Sequence, residues 1–142
     1  MLAIECEWRI RRLIRANLEA TGLQVREAVS VSHALRLLPD FEPDLVLLNV
    51  DGLGAESVEA LDAVRARLAG RNVPIVALSS EAPSRRLLSS GQLDSWLQKP
   101  FAVPALIRQV QRALTYLPAV DESSPRGLVA DPLPTQEKEA NP

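Results

Sequence analysis

The feature that most constrains the fold is the alternation, over residues 1–117, of short apolar runs with segments of helical spacing. The apolar runs are MLAI, LQV, LVLL, VPIVAL and SWL. Runs this short, without polar alternation, are typical of strands buried on both faces of a parallel sheet. The segments between them carry apolar residues three or four positions apart, as amphipathic helices do. The sequence therefore predicts an α/β fold, a doubly wound five-stranded parallel sheet sandwiched by helices.

Residues that favour helix ends support this division. We expect the first helix to end near Gly22 and the third near Gly70, because glycine accepts the left-handed backbone that closes a helix. Ser30 is a suitable N-cap for the second helix. Pro104 lies early in the last helix, where its missing N–H costs little. The segment 84–90 is short and serine-rich, and predicts the weakest helix of the set.

The composition changes after residue 117. The segment 118–142 contains five prolines, has a net charge of −3 and shows no apolar period. Such a segment buries too little apolar surface to offset its ordering entropy. We therefore predict one folded domain at 1–117 and a disordered, proline-rich acidic tail at 118–142.

Charge and cysteine content exclude several classes of protein. The formal net charge is only −2, which calls for neither direct nucleic-acid contact nor an anionic membrane surface. The single cysteine, Cys6, excludes an internal disulfide. The apolar runs are far shorter than the roughly 20 residues of a membrane span. We expect a cytoplasmic protein with no membrane partner.

Polar side chains follow four of the predicted strands. In doubly wound sheets the carboxyl ends of the strands meet at one edge, where binding sites form. The residues at these ends are Glu5, Cys6, Glu7, Asn49, Asp51, Ser79, Ser80, Gln98 and Lys99. We expect them to converge on one site.

With these residues in view, four motifs resemble those of a response-regulator receiver domain, of flavodoxin-like or CheY-like fold. The motifs are IRRLIRANLEATGLQV at 10–25, PDLVLLNV at 43–50, PIVALSS at 74–80 and WLQKPF at 96–101. The resemblance covers residues 1 to about 117. It implies a bacterial signalling domain of a two-component system, working in a phosphorelay or in transcriptional control, and not an enzyme. It also implies a cis peptide bond before Pro100.

The resemblance also implies a role for each residue of the site. The acidic pair that holds Mg²⁺ in the family falls on Glu5 and Cys6, and the phosphoacceptor aspartate falls on Asn49. The hydroxyl and the lysine that contact the phosphoryl group fall on Ser79 and Lys99. Two of the three carboxylates of the family's site are therefore replaced in this sequence.

These replacements remove the usual chemistry. An asparagine lacks the anionic oxygen that attacks phosphorus, and a thiol is a poor ligand for a cation as hard as Mg²⁺. We therefore expect a degenerate receiver, a pseudo-receiver that lacks the phosphoacceptor aspartate, has no cofactor and binds Mg²⁺ weakly or not at all. In the remnant pocket Lys99 is expected to pair with Glu5 or Asp51, or to donate to the Asn49 carbonyl.

Two alternatives stay open. A non-standard carboxylate, Asp51 or Glu5, is a possible phosphoacceptor, although we favour a solvated loop position for the Asp51 side chain. A small-molecule-binding α/β domain is the second alternative, but the sequence contains no glycine-rich phosphate loop.

A protein–protein interface is predicted on the face formed by the fourth helix, the fifth strand and the last helix. Its candidate residues are Trp96, Arg85, Arg86, Val103 and Ile107. Tryptophan is enriched at binding hot spots, and an outward-pointing Trp96 would anchor self-association or an unidentified protein partner. A core position for Trp96 is the competing interpretation. Trp8, beside the site, is a candidate cap of the remnant pocket.

Overall fold

The structure, a computed structural model, describes residues 1–68 and 70–115, and its centre is a five-stranded parallel sheet. The strand order is β2-β1-β3-β4-β5. The strands are β1 Leu2–Ile4, β2 Arg26–Ala28, β3 Val46–Asn49, β4 Ile75–Ser79 and β5 Ser95–Gln98. The central strands β1, β3 and β4 are almost wholly buried, which is why their sequences are continuous apolar runs. The predicted doubly wound fold is confirmed.

The second strand lies three residues later than predicted. The apolar run LQV suggested a strand at 23–25, but the residues that pair with β1 are Arg26–Ala28, with Leu2 opposite Arg26. Val25 is buried just before the strand. Because β2 is an edge strand, it tolerates an exposed arginine and a half-buried glutamate. The apolar run alone therefore predicted the strand three residues too early in the sequence.

Among the described residues, five α-helices cover the two faces of the sheet, and short 3-10 helices lie at Leu38–Asp40 and Gly54–Glu56. The α-helices are α1 Trp8–Glu19, α2 Val31–Leu37, α3 Ser57–Arg67, α4 Arg85–Ser89 and α5 Val103–Thr115. The predicted cap of α2 is present, because the Ser30 hydroxyl accepts a hydrogen bond from the His33 amide over 3.1 Å. Gly22 follows α1 with a positive φ of 99°, as its predicted capping role requires. The serine-rich segment forms only the five-residue α4, as its weak pattern indicated.

Two apolar clusters, one on each face of the sheet, form the core. The α1 and α5 face contains Ile14, Leu18, Leu47, Leu106 and Val110, among others. The opposite face, toward α2, α3 and α4, contains Leu48, Leu61, Val64, Leu87 and Trp96, among others. Successive residues of one strand, such as Leu47 and Leu48, belong to opposite clusters. This double burial holds the strands rigidly and fixes where their ends meet.

The predicted boundary at residue 117 and the tail at 118–142 lie outside the described residues, so both remain predictions. Within residues 1–68 and 70–115, no helix combines the length and the apolar character needed to cross a membrane.

Candidate functional site

The ends of β1, β3 and β5 bring Glu5, Asn49 and Lys99 into direct contact. Glu5 follows β1, Asn49 ends β3 and Lys99 follows β5. Parallel pairing in register places these ends at one edge of the sheet. The convergence predicted from the strand ends is therefore present for these three residues.

Glu5 is the buried centre of the cluster, with a relative exposure of 1%. One carboxylate oxygen accepts from the Lys99 ammonium at 2.9 Å. The other accepts from the Asn49 side-chain amide at 3.1 Å and from the Glu7 backbone amide at 3.0 Å. A buried carboxylate needs such partners, because an unpaired buried charge is very costly. Three donors from three segments therefore stabilise this one.

Asn49 uses both ends of its side-chain amide. Its nitrogen donates to Glu5, and its oxygen accepts from the backbone N–H of Asp51 over 2.9 Å. The second contact closes an Asx turn, a conformation that asparagine favours. The Asn49 oxygen therefore accepts from Asp51 and not from Lys99. Of the three alternative partners expected for Lys99, the Asn49 carbonyl is the one to which it does not donate.

Asp51 is exposed, as predicted for a solvated loop position, but its carboxylate is not free of contacts. It accepts hydrogen bonds from the Ser80 amide and the Ser80 hydroxyl, both over 2.8 Å. A carboxylate oxygen of Asp51 also lies 3.6 Å from the Lys99 ammonium. The turn after β3 is therefore joined to the ends of both β4 and β5.

These contacts favour the ionised form of Asp51. Partial burial raises the pKa of its carboxyl, but the hydrogen bonds from Ser80 and the positive charge of Lys99 outweigh burial and lower the pKa below its ordinary value. Asp51, an anion at neutral pH like any ordinary aspartate, therefore stays ionised to more acidic pH. Lys99 lies between two carboxylates, with Glu5 as its closer partner.

The two neighbouring serines Ser79 and Ser80 make different contacts. The Ser79 hydroxyl donates to the backbone carbonyl of Glu81. Ser80, which sequence reasoning placed at the strand end without a role, makes the two contacts to Asp51. The doubled serine of the motif PIVALSS was the available signal, since the second serine lies beyond the strand and is free to turn toward a neighbouring loop.

Cys6 is exposed and lies at the rim of the cluster. Its sulfur is 3.9 Å from the Asn49 side-chain nitrogen, a weak contact. The loop that carries Cys6 is held by Arg11, whose guanidinium donates to the Glu5 carbonyl at 2.9 Å and more weakly to the Cys6 carbonyl at 3.4 Å. Arg11 also pairs with Glu27 of β2 at 2.9 Å.

The residues at this edge do not fit the Mg²⁺ site that the resemblance implies. Mg²⁺ prefers several oxygen ligands in near-octahedral geometry. Both oxygens of Glu5 are occupied by donors, Cys6 offers sulfur, and Asn49 turns its nitrogen toward Glu5. Within the part of the chain that the structure describes, no group of three or more His, Cys, Asp and Glu side chains is arranged to hold a metal ion.

The candidate interaction residues do not form one face around an exposed Trp96. That side chain is 6% exposed and belongs to the core cluster facing α2, α3 and α4, so the core interpretation applies. Ile107 packs against the cluster on the other side of the sheet. Arg86 pairs with Glu59 of α3 at 3.3 Å and donates to the carbonyl of Ala55, just before that helix, at 2.9 Å.

Of the remaining candidates, Arg85 is exposed and Val103 is half-buried, so neither is excluded from an interface. Trp8 is 52% exposed, and the Arg9 guanidinium lies 5.0 Å from its ring centroid. The Lys99–Pro100 peptide bond is cis, as the resemblance implied.

Comparison with curated proteins finds transcriptional regulators. The KDP operon transcriptional regulatory protein KdpE of Escherichia coli is 30% identical over 116 residues, which are 80% of this chain and 50% of that protein. The phosphate regulon transcriptional regulatory protein PhoB of Pseudomonas aeruginosa is 25% identical over 138 residues, 94% of this chain and 60% of that protein. The chain thus spans about half the length of the curated relatives that it matches. No protein-family model matches it.

Comparison with solved structures finds receiver domains. The chemotaxis protein CheY4 of Vibrio cholerae has a TM-score of 0.69 at 26% identity, covering 80% of this chain and 96% of that one. The receiver domain of NtrX from Brucella abortus also gives 0.69 at 26%, covering 82% and 98%. TrrA of Thermotoga maritima, solved in complex with Mg²⁺ and BeF, gives 0.67 at 26%, covering 80% and 96%.

The strand order, the cluster at the carboxyl ends of the strands and these neighbours define an α/β domain with the CheY-like receiver fold. The names of the curated relatives add a functional class to this fold, because they support a receiver domain of a two-component response regulator.

Proposed function

We propose that this receiver domain is atypical, and that it works by protein–protein interaction in two-component signalling or transcriptional control without the usual cycle of phosphorylation. The relatives named as transcriptional regulators support the setting, which is cytoplasmic and bacterial. We favour a protein over nucleic acid as the partner, because residues 1–117 carry 14 basic and 13 acidic side chains, a nearly balanced charge.

The observation that carries the proposal is the hydrogen bond from Asn49 to Glu5 at the position of the phosphoacceptor. An amide has no anionic oxygen to attack phosphorus, and this amide is fully engaged with Glu5 and with the Asp51 backbone. The neighbouring donors and acceptors satisfy one another without a metal ion. Such a pocket supports a single, ligand-independent conformation as the form that a partner recognises.

Intact mass after incubation with acetyl phosphate and Mg²⁺ tests the proposal. We expect the wild-type chain to gain no phosphoryl group. The matched variant carries Cys6→Asp and Asn49→Asp together, which restores the carboxylates that the resemblance requires, and it should gain one. A stable gain of one phosphoryl group on the wild-type chain would overturn the proposal.

A second candidate keeps phosphoryl chemistry at Asp51, and one observation favours it. This carboxylate is exposed, lies 3.6 Å from the Lys99 ammonium and has a lowered pKa. In this reaction an Asp51 oxygen would bond to the phosphorus of acetyl phosphate while the bond to the acetate oxygen breaks and acetate leaves. A mass gain on the wild-type chain that is lost in Asp51→Asn would select this candidate. Glu5 is a weaker acceptor, because it is buried and fully hydrogen-bonded.

A further inference from the structure

Three different donors converge on the carboxylate of Asp51. The backbone amide of Ser80 lies 2.8 Å from one carboxylate oxygen, and the Ser80 hydroxyl lies 2.8 Å from the other. The Lys99 ammonium lies 3.6 Å from that second oxygen. An amide, a hydroxyl and an ammonium aimed at one point are the groups that proteins use to bind oxyanions such as phosphate.

The carboxylate is held in this position from its own side as well. The Asp51 backbone N–H donates to the Asn49 side-chain oxygen at 2.9 Å, which closes the turn. Gly52 follows with a positive φ of 83°, a backbone conformation that lets the chain turn sharply after Asp51. The turn after β3 therefore presents the carboxylate to Ser80 and Lys99.

We propose that Asp51 is an internal ligand, whose carboxylate occupies an oxyanion site formed by Ser80 and Lys99 and so ties the loop after β3 to the loop after β4. This inference rests on the proposed function, and it names what holds the domain in one state. The link joins segments that are about 30 residues apart in sequence, and it needs neither phosphate nor metal.

Two consequences follow from this arrangement. A tethered carboxylate has an effective concentration in the millimolar range or above and competes with inorganic phosphate, so the wild-type chain binds phosphate more weakly than a chain that lacks this carboxylate. Removing the carboxylate leaves the Ser80 amide, the Ser80 hydroxyl and Lys99 without this acceptor. The site then accepts an oxyanion from solution, and the Ser80 amide loses a hydrogen bond that protects it from exchange.

The test is a titration of inorganic phosphate followed by amide NMR on the wild-type domain and on Asp51→Ala. We expect the Ser80 amide of the wild-type chain to show no saturable shift at low millimolar phosphate. Asp51→Ala should show one, with an apparent affinity at least tenfold higher. Hydrogen exchange of the Ser80 amide should be at least tenfold faster in Asp51→Ala without phosphate.

Asp44→Ala is the matched control, because it removes one exposed carboxylate at the opposite end of β3. It should behave as the wild type in both measurements. Equal phosphate affinity in wild type and Asp51→Ala, or unchanged exchange at Ser80, would overturn the inference. Should Asp51→Ala fail to fold, Asp51→Asn removes the charge at nearly constant shape and takes its place. Phosphorylation of the wild-type chain is measured separately by mass, so failure of the proposed function is recognised independently.

Discussion

The side-chain nitrogen of Asn49 lies 3.1 Å from a carboxylate oxygen of Glu5, to which it donates a hydrogen bond. An aspartate at position 49 would place two carboxylates at this separation, and one of them is 1% exposed. Such a pair is stable only when a cation or a proton compensates the repulsion. The amide thus turns a repulsive contact into an attractive one and makes the cluster independent of metal.

The first prediction concerns that contact. Asn49→Asp should lower the free energy of unfolding by about 1–3 kcal/mol in the absence of divalent metal, because it replaces a hydrogen bond with carboxylate repulsion. Urea unfolding followed by circular dichroism measures the change. Adding Glu5→Gln to Asn49→Asp should restore most of the loss. Full stability of the single variant in a metal chelator would contradict the role given to the amide.

The second prediction concerns Lys99, whose side chain is 12% exposed. Lys99→Met leaves the buried carboxylate of Glu5 without its cation, and should cost about 3 kcal/mol at neutral pH. The same substitution in a Glu5→Gln background should cost much less, and a double-mutant cycle of urea unfolding measures the difference. Equal costs in the two backgrounds would show that the pair does not contribute to stability.

The third prediction follows from the burial of Trp96. Because its ring fills part of the core, Trp96→Ala should lower the free energy of unfolding by about 3–5 kcal/mol. Trp8→Ala is the matched control, since that side chain is 52% exposed, and it should change stability by less than about 0.5 kcal/mol. A Trp96→Ala variant with unchanged stability and altered self-association would contradict the core role and support an interface role for Trp96.

The fourth prediction concerns pH. Burial raises the pKa of Glu27, but hydrogen bonds and charges from Arg15 and Arg11 outweigh burial, and the pKa in the folded state lies below its ordinary value. Protons therefore bind the unfolded state more tightly, so the stability that Glu27 contributes is present above the unfolded pKa and is lost as pH falls through the folded one. The contribution is about 1 kcal/mol or less for so accessible a network.

Urea unfolding of the wild type and Glu27→Gln between pH 3 and 7 measures this effect. The difference in stability should be largest at neutral pH and should shrink toward acid. Glu42→Gln is the control, because the Glu42 carboxylate is 79% exposed and 4.0 Å from Arg71. A constant difference across the pH range would show that the Arg11, Arg15 and Glu27 network does not change the titration of Glu27.

The elements that were predictable from sequence are those with a strong local signal. Continuous apolar runs located β1, β3 and β4, and the capping roles of Ser30 and Gly22 follow from local backbone chemistry. Parallel order then implied a single polar edge, so the meeting of Glu5, Asn49 and Lys99 followed from topology.

The elements that were missed depend on neighbours distant in sequence. Nothing local places the Asp51 side chain, because its direction is set by Ser80 and Lys99 on other strands. The side on which Trp96 packs is not encoded by polar alternation, since both faces of β5 are covered. The edge strand at Arg26–Ala28 lacks an apolar run altogether and is defined only by its pairing with β1.

Trp8 and Trp96, the two tryptophans of the chain, lie in opposite surroundings, one exposed beside Arg9 and one enclosed in the core. An indole in water emits at longer wavelength than an enclosed one, and a dissolved quencher reaches it far more readily. The domain therefore carries its own pair of optical reporters. Tryptophan emission and its quenching can therefore distinguish a change in the surroundings of Trp8, which follows the loop after β1, from partial unfolding of the core around Trp96. No added dye is needed.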